Sequence, residues 1–325
     1  MEGRVGEDLN DADVPTGCLD GAKGVGWVRR LRRLVKDERF DLVHAHSPVA
    51  AAAARLALIG GPPIVYTEHN VWERYHPATY WSNLLTFGRN RHVFAVSEHV
   101  KDSIRYPGWL TRLGLPAAET LYYGIDQSSI ETWAVRNGVR EELNIAADAP
   151  VVGTVANFKS HKRLDQMLRA AALVRRYVPG VRFVLVGQGP LEPELRRLAQ
   201  TLHLGDTVVF AGFREDAPRV CSTFDVFALS SEHEGLSIAL IEALALGKPA
   251  VVTDVGGLTE VIEDERQGYI VPVGQPLIFG DRIVRLLEDP GLRARMGAEG
   301  RVRAESFDIR RSVRRMEQVY QEVLS

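Results

Sequence analysis

Two glutamates, Glu234 and Glu242, stand eight residues apart in SSEHEGLSIALIEALALGKPAVVTDVGGLTE (230–260). The stretch reads as a buried strand (225–231), a polar loop, and a helix that starts near Leu236 or Ser237 and stops at Gly247 and Pro249. Glu234 falls in the loop and Glu242 about two turns along the helix, so both can face one extended ligand. An ionised carboxylate only accepts hydrogen bonds, which suits the hydroxyls of a sugar or a ribose. The first turn, Gly235, Leu236 and Ser237, presents unpaired N–H groups and partial positive charge, a seat for phosphate. Such glutamates are more often solvated helix-surface charges. Here the helix LSIALIEALAL is nearly all apolar, which puts Glu242 inside a buried element where a carboxylate needs a partner.

A second set of chemistry-bearing residues lies upstream. Lys162 lies in the basic run Lys159–Arg163 and by itself reads as an ordinary surface lysine. His69, in YTEHN (66–70), stands at a strand end, where it can serve a ligand or simply bond backbone. His44 and His46 alternate on one strand and share a face. No carboxylate cluster or Asp-x-Asp loop follows a strand, and DAD at 11–13 reads as a solvated turn, so no metal site is expected.

The elements that must position these residues alternate. Strand candidates are 41–46, 63–68, 92–97, 120–125, 150–156, 182–187, 207–212, 225–231 and 249–255, rich in Val, Ile, Phe or Tyr and bounded by turn residues. Helical patterns separate most of them, for example HKRLDQMLRAAALVRRY, stopped by Pro179-Gly180. The alternation predicts an α/β, doubly wound protein whose ligands sit beyond the carboxyl ends of the strands. The rhythm breaks at 126–149. The expected division is therefore a first domain of residues 1–135 plus 306–325, a linker at 136–149, and a second domain at 150–305, with hinges near 126–149 and 305. The last segment carries a helical stripe of Val313, Met316, Val319, Tyr320 and Val323. Residues 1–22 show no periodicity.

Composition narrows the class. A chain of 325 residues with net charge −2 builds no field that would draw it to nucleic acid. Cys18 and Cys221 are its two cysteines, too few and too far apart for a disulfide framework. The apolar run Val49–Ile59 is too short to span a bilayer, and no signal peptide is visible, so a cytoplasmic compartment is expected. WVRRLRRLVK (27–36) is a basic amphipathic segment, either the solvated face of a packed helix or a peripheral contact with an anionic membrane.

EGLSIALIEALALGKPAVVTDVGGLTE (234–260) resembles the donor-binding signature of family 4 retaining glycosyltransferases, an E-x7-E pattern with a Gly-Pro stop and a GG-x-x-E loop. DLVHAHS (41–47), YTEHN (66–70), YYGID (122–126), GTVANFKSHKRLD (153–165) and VGQGP (186–190) are similar to further family segments, in order. The resemblance implies a GT-B fold of two Rossmann-like domains facing across a cleft. It implies that Glu242 holds the ribose, that Glu234 and His69 lie against the transferred sugar, and that Lys162 neutralises the departing diphosphate. Gly187 and the Gly235, Leu236 and Ser237 backbone would line the donor. Asn157 stands where most relatives carry an arginine. That change removes a charge-assisted contact worth about 1.5–3 kcal/mol, which Lys159, His161 or Arg163 would have to replace. The family strand and Gly-Gly loop that precede the region matching 24–46 are not visible, so an incomplete first domain is expected.

The implied reaction is transfer from a nucleotide-sugar co-substrate, UDP- or GDP-linked, to a glycan, lipid-linked or small-molecule acceptor. It proceeds with retention, without cofactor or metal and without an enzymatic base. The alternatives are a non-catalytic nucleotide-sugar-binding protein, favoured by Asn157 and the missing front, and a GT-B sugar-nucleotide epimerase, which the E-x7-E helix fits less well. A dehydrogenase is disfavoured, since no G-x-G-x-x-G follows a strand.

Overall fold

The computed structural model describes residues 26–107, 114–134 and 138–325. The aperiodic leader with DAD at 11–13 and Cys18 lies outside them. The described residues open with α1 (Gly26–Asp37), β1 (Val43–His46), α2 (Pro48–Ala57), β2 (Ile64–Glu68), α3 (Pro77–Thr86), β3 (Asn90–Ala95), α4 (Glu98–Ser103) and β4 (Ala118–Thr120). These strands form a parallel sheet in the order β1-β2-β3-β4. The apolar side of α1, Val28, Leu31 and Val35, packs on the core of this domain and leaves its arginines outward. No helix among the described residues is long and apolar enough to cross a membrane.

After α5 (Gln127–Ala134) and α6 (Val139–Glu142) come β5 (Val151–Val155), α7 (Leu164–Tyr177), β6 (Arg182–Val186), α8 (Glu192–Thr201), β7 (Val208–Gly212), α9 (Ala217–Ser222) and β8 (Val226–Leu229). Then follow α10 (Ile238–Ala245), β9 (Ala250–Thr253), α11 (Gly256–Val261), β10 (Gly268–Val271), α12 (Pro276–Glu288), α13 (Pro290–Ala304) and α14 (Ile309–Leu324). The second sheet is parallel, in the order β10-β9-β8-β5-β6-β7. Strand order reverses between β5 and β8, so the helices diverge there and leave a crevice at the carboxyl ends of those two strands. Two Rossmann-like parallel-sheet domains result.

Two strands differ from the sequence reading. The strand expected at 120–125 lies at 118–120; beyond it only Ile125 pairs, bridging Asp308. The apolar residues that mimicked a strand are buried otherwise, Tyr122 edge-on against Phe307 and Tyr123 beside His69. β10 is an additional strand: GYIV is only four residues long and Pro272 cuts its alternation short.

Within 126–149, Ile130, Val139, Ile145 and Ala149 bury against Val151 and Phe227 of the second domain. The last helix returns to the first sheet, where Val319 packs with Val65, Phe94 and Leu121. Met316, Tyr320 and Val323 join it, whereas Val313 is exposed. The two chain crossings lie together: any side chain at Gly124 would strike the backbone of Phe307–Ile309.

Candidate functional site

The loops leaving β5 and β8 are stitched to each other. Glu232 N–H donates to the His161 carbonyl (2.7 Å), and the Ser230 hydroxyl faces the carbonyls of Lys162 (3.0 Å) and Arg163 (2.9 Å). Thr253, ending β9, donates to the Ser231 carbonyl from beneath. Arg163 takes a left-handed conformation (φ 46°), a sharp turn that lets α7 start directly after Lys162. The Lys162 ammonium consequently meets Glu234 at 2.5 Å, on an oxygen that also accepts the Ser231 hydroxyl (2.7 Å). Both bonds fall on Oε1, and neither uses Oε2.

This pair forms one wall of a 260 Å³ cleft that Asn157, Gly187, Leu236 and Ser237 also line. Gly187 has φ 134°, and a side chain there would run into the Ala156 carbonyl, so only glycine lets this turn close on β5. Ser237 caps α10, its hydroxyl accepting from Leu240 N–H (3.3 Å), which leaves the amides of the first turn facing the cleft. Ile238 and Ala239 line the cleft too, and Glu242 lies one turn further along the same face. Burial pushes the Glu242 carboxyl up to about 7, and it accepts no hydrogen bond from any described residue.

The first domain meets the loop after Glu234 through His69. The His69 carbonyl packs so closely on Gly235 that no side chain fits there, and Gly257 presses on Gly235 from behind. The His69 ring shares a hydrogen bond with His46 (Nε2 to Nδ1, 3.0 Å) and lies 5.5 Å from the Tyr123 ring. His44 stacks on His46 at 4.4 Å and is bonded to Tyr320 and Thr67. Burial, reinforced by the neighbouring imidazoles, lowers His44 and His69 to about 4, so both are neutral at physiological pH. Among the described residues no three His, Cys, Asp or Glu side chains converge to hold a metal.

Lys162, Glu234, Asn157, Gly187, Leu236 and Ser237 thus share one cleft; Gly235 adjoins it against the His69 carbonyl, and Glu242 lies further along α10. Replacement of the missing arginine by Lys159 or Arg163 does not fit the geometry. Both line a separate 410 Å³ hollow beside α7 and α8, and Arg163 is paired with Asp165 (3.1 Å). His161 turns to the His233 ring (4.8 Å), and burial lowers its pKa.

A model of glycosyl transferases group 1 matches residues 135–303, and one of glycosyltransferase family 4 matches residues 12–128. The chain belongs to glycosyltransferase family 4. An alpha-D-kanosaminyltransferase of Streptomyces kanamyceticus is 30% identical to this glycosyltransferase, over 83% of this chain and 74% of its own length. A D-inositol 3-phosphate glycosyltransferase of Saccharomonospora viridis is 28% identical, over 98% of this chain and 78% of its own length. Anabaena HepE, solved with UDP-glucose, shares the fold with a TM-score of 0.85 at 21% identity, covering 99% of this chain and 90% of its own.

Three site features of this glycosyltransferase escaped the sequence reading. Arg214 also lines the 260 Å³ cleft, held by Asp216 (2.7 Å) and Glu142 (2.8 Å). It stands two residues beyond the end of β7, so the rule that ligands gather beyond strand carboxyl ends would have found it. His46 was visible only as half of a histidine pair, although its partner in the site is His69. Glu260 was quoted within GG-x-x-E without a role. Its carboxylate reaches across to the first domain and accepts from Glu98 N–H, His99 N–H and the Tyr122 hydroxyl, each at 2.8 Å.

Proposed function

We propose that this glycosyltransferase moves a hexose from a nucleoside-diphosphate sugar to an acceptor hydroxyl with retention of anomeric configuration and without a metal. The observation that carries the reading is the Lys162–Glu234 pair at the strand-order reversal, beside the first turn of α10 and above the unpartnered Glu242. Glu242 takes the ribose hydroxyls, and the amides of Gly235–Ser237 take the diphosphate. Lys162 shifts from Glu234 toward the leaving diphosphate as charge develops, Arg214 adds positive potential, and Glu234 Oε2 accepts from a sugar hydroxyl. His69 borders the sugar as a neutral hydrogen-bonding group.

The acceptor is assigned to the 400 Å³ cleft that adjoins the Glu234 loop, between Arg74, His99 and Arg105 of the first domain and Glu232, His233 and Asp254 of the second. Relatives include a UDP-Gal:alpha-D-GlcNAc-diphosphoundecaprenol galactosyltransferase and a phosphatidylinositol monomannoside mannosyltransferase. The outward Arg29, Arg32, Arg33 and Lys36 of α1 support peripheral docking on an anionic membrane beside a lipid-linked acceptor. Thermal shift with UDP-, GDP- and ADP-sugars, with and without EDTA, tests the donor. Nucleoside diphosphate release with candidate acceptors, and the anomeric NMR signal of the product, test transfer and retention. Binding without release would confine the chain to nucleotide-sugar binding, the outcome that Asn157 favours.

A further inference from the structure

The first domain contains a buried carboxylate to which transfer assigns no part. Glu68 ends β2, is wholly buried, and collects five donors. Tyr66 O–H (2.8 Å) and Trp72 Nε1–H (2.8 Å) donate to Oε2. His69 N–H (3.0 Å), Asn70 N–H (3.2 Å) and Tyr75 O–H donate to Oε1. The donors come from both sides of Glu68 along the chain, so residues 66–75 wrap around a single anion. Arg55, also wholly buried, lies with its guanidinium 4.6 Å from the centre of the Tyr66 ring and is held by Asn83 and Asn90. Burial raises the Glu68 pKa, and the donors from Tyr75, Tyr66, Asn70 and Trp72 offset part of that rise.

What this wrap fixes is the backbone of His69 and Asn70. The same His69 presents its carbonyl to Gly235 and its ring to His46. We propose that Glu68 is a positioning residue for transfer: by holding the 69–70 amides from behind, it sets where His69 meets the Gly235 loop. The proposal rests on the donor-site reading above. Only an acceptor on both oxygens satisfies this cage. In a glutamine, one oxygen becomes an NH₂ that faces either Trp72 N–H or two backbone N–H groups, none of which can accept. The loop then has to move to relieve a donor–donor contact.

The test is Glu68→Gln in the full chain, with Leu84→Ala as a packing control from the same buried core. UDP-glucose turnover, UDP affinity, melting temperature and amide hydrogen exchange are measured for each. The expected result is a kcat about 100-fold lower with unchanged KM for UDP-glucose, the penalty of a misplaced contact near the reacting group. Exchange at the His69 and Asn70 amides rises at least about tenfold while β3 stays protected and UDP affinity is unchanged. Leu84→Ala loses melting temperature but keeps its kcat. Wild-type kcat in Glu68→Gln, or unchanged exchange at residues 69–70, overturns the proposal. An equal kcat loss in Leu84→Ala at matched stability overturns it as well. If the wild-type chain releases no UDP from UDP-glucose, the donor reading fails separately, and local exchange at 69–70 alone decides the role of Glu68.

Discussion

Glu68 and Glu242 are both carboxylates withdrawn from water near the carboxyl edge of a parallel sheet, one in each domain. Glu68 accepts five hydrogen bonds from its own neighbours. Glu242 accepts none from the described residues, and burial pushes it up to about 7. A carboxylate with its lone pairs filled holds backbone in place and has little left for a ligand. One with none filled is costly to bury until hydroxyls reach it. Glu234 stands between them, with one oxygen shared by Lys162 and Ser231 and the other uncommitted. The three glutamates therefore grade from scaffold to ligand contact, and a substitution at each has a different signature.

The largest effect is expected at Lys162, paired with Glu234 and proposed to move to the leaving diphosphate. Lys162→Ala lowers kcat by about 10²–10³-fold, the usual size for removing a group aimed at developing negative charge. A kcat within a few-fold of wild type would show that the pair is structural and that Arg214 carries the diphosphate.

Glu242→Gln comes next and separates binding from stability. Its folded-state pKa, about 7, lies above the ordinary 4.5. Between these values the folded chain holds a proton that the unfolded chain has released. That stabilising contribution is complete below 4.5 and is lost as pH rises through 7. The amide removes this cost, so at pH 8 the ligand-free variant is more stable by up to about 3 kcal/mol. At the same time its UDP affinity falls by about tenfold or more, since an amide cannot accept from two ribose hydroxyls on both atoms. Denaturation with and without UDP measures both. A variant that is less stable, or that binds UDP normally, breaks the contrast with Glu68.

The first domain responds to pH in the opposite sense. His44 and His69 have folded-state values of about 4, below the ordinary 6.5. Their contribution to stability is present above 6.5 and lost as pH falls through 4. Acidification from pH 7 to 5 therefore lowers the melting temperature of the first domain by several degrees while relieving Glu242 in the second. Calorimetry at the two pH values, with hydrogen exchange assigning the transition, checks this. A first domain insensitive to acid would mean that its histidines are solvated.

The difference between the domains also governs what the sequence disclosed. The second sheet consists of Val-rich runs, buried on both faces except at its edge strand β7, so β5 to β9 were legible within a few residues, and Lys162, Glu234 and Ser237 sat at the ends expected. Features made by distant partners were not. Arg55 lies in an alanine-rich helix and reads as an interruption until Asn83 and Asn90, 28 and 35 residues away, close around it. Glu68 looks like one polar letter in YTEHN, and its cage requires Trp72 and Tyr75 to fold back. Lys159 and Arg163 were charges near Lys162 in sequence, but the left-handed turn at Arg163 separates them from the cleft.

The smallest effect tests the contact that joins the two regions. Glu260, like Glu68, is filled by donors, three against five, yet its donors belong to the other domain. Tyr122→Phe removes one of them and keeps the ring against Phe307. Losing one charge-assisted bond at a partly exposed site costs about 0.5–1.5 kcal/mol, so the denaturation midpoint falls slightly and kcat changes no more than a few-fold. The informative quantity is the exchange of the Glu98 and His99 amides. If Glu260 holds the domains as a unit, those amides lose protection together in the variant and regain it with UDP bound, because donor contacts draw the second domain back onto the His69 side. If they stay protected, α4 is capped from within its own domain by Ser97, whose hydroxyl already accepts from Val100 N–H (3.1 Å). Glu260 would then be a satisfied surface carboxylate, closer to scaffold than to hinge.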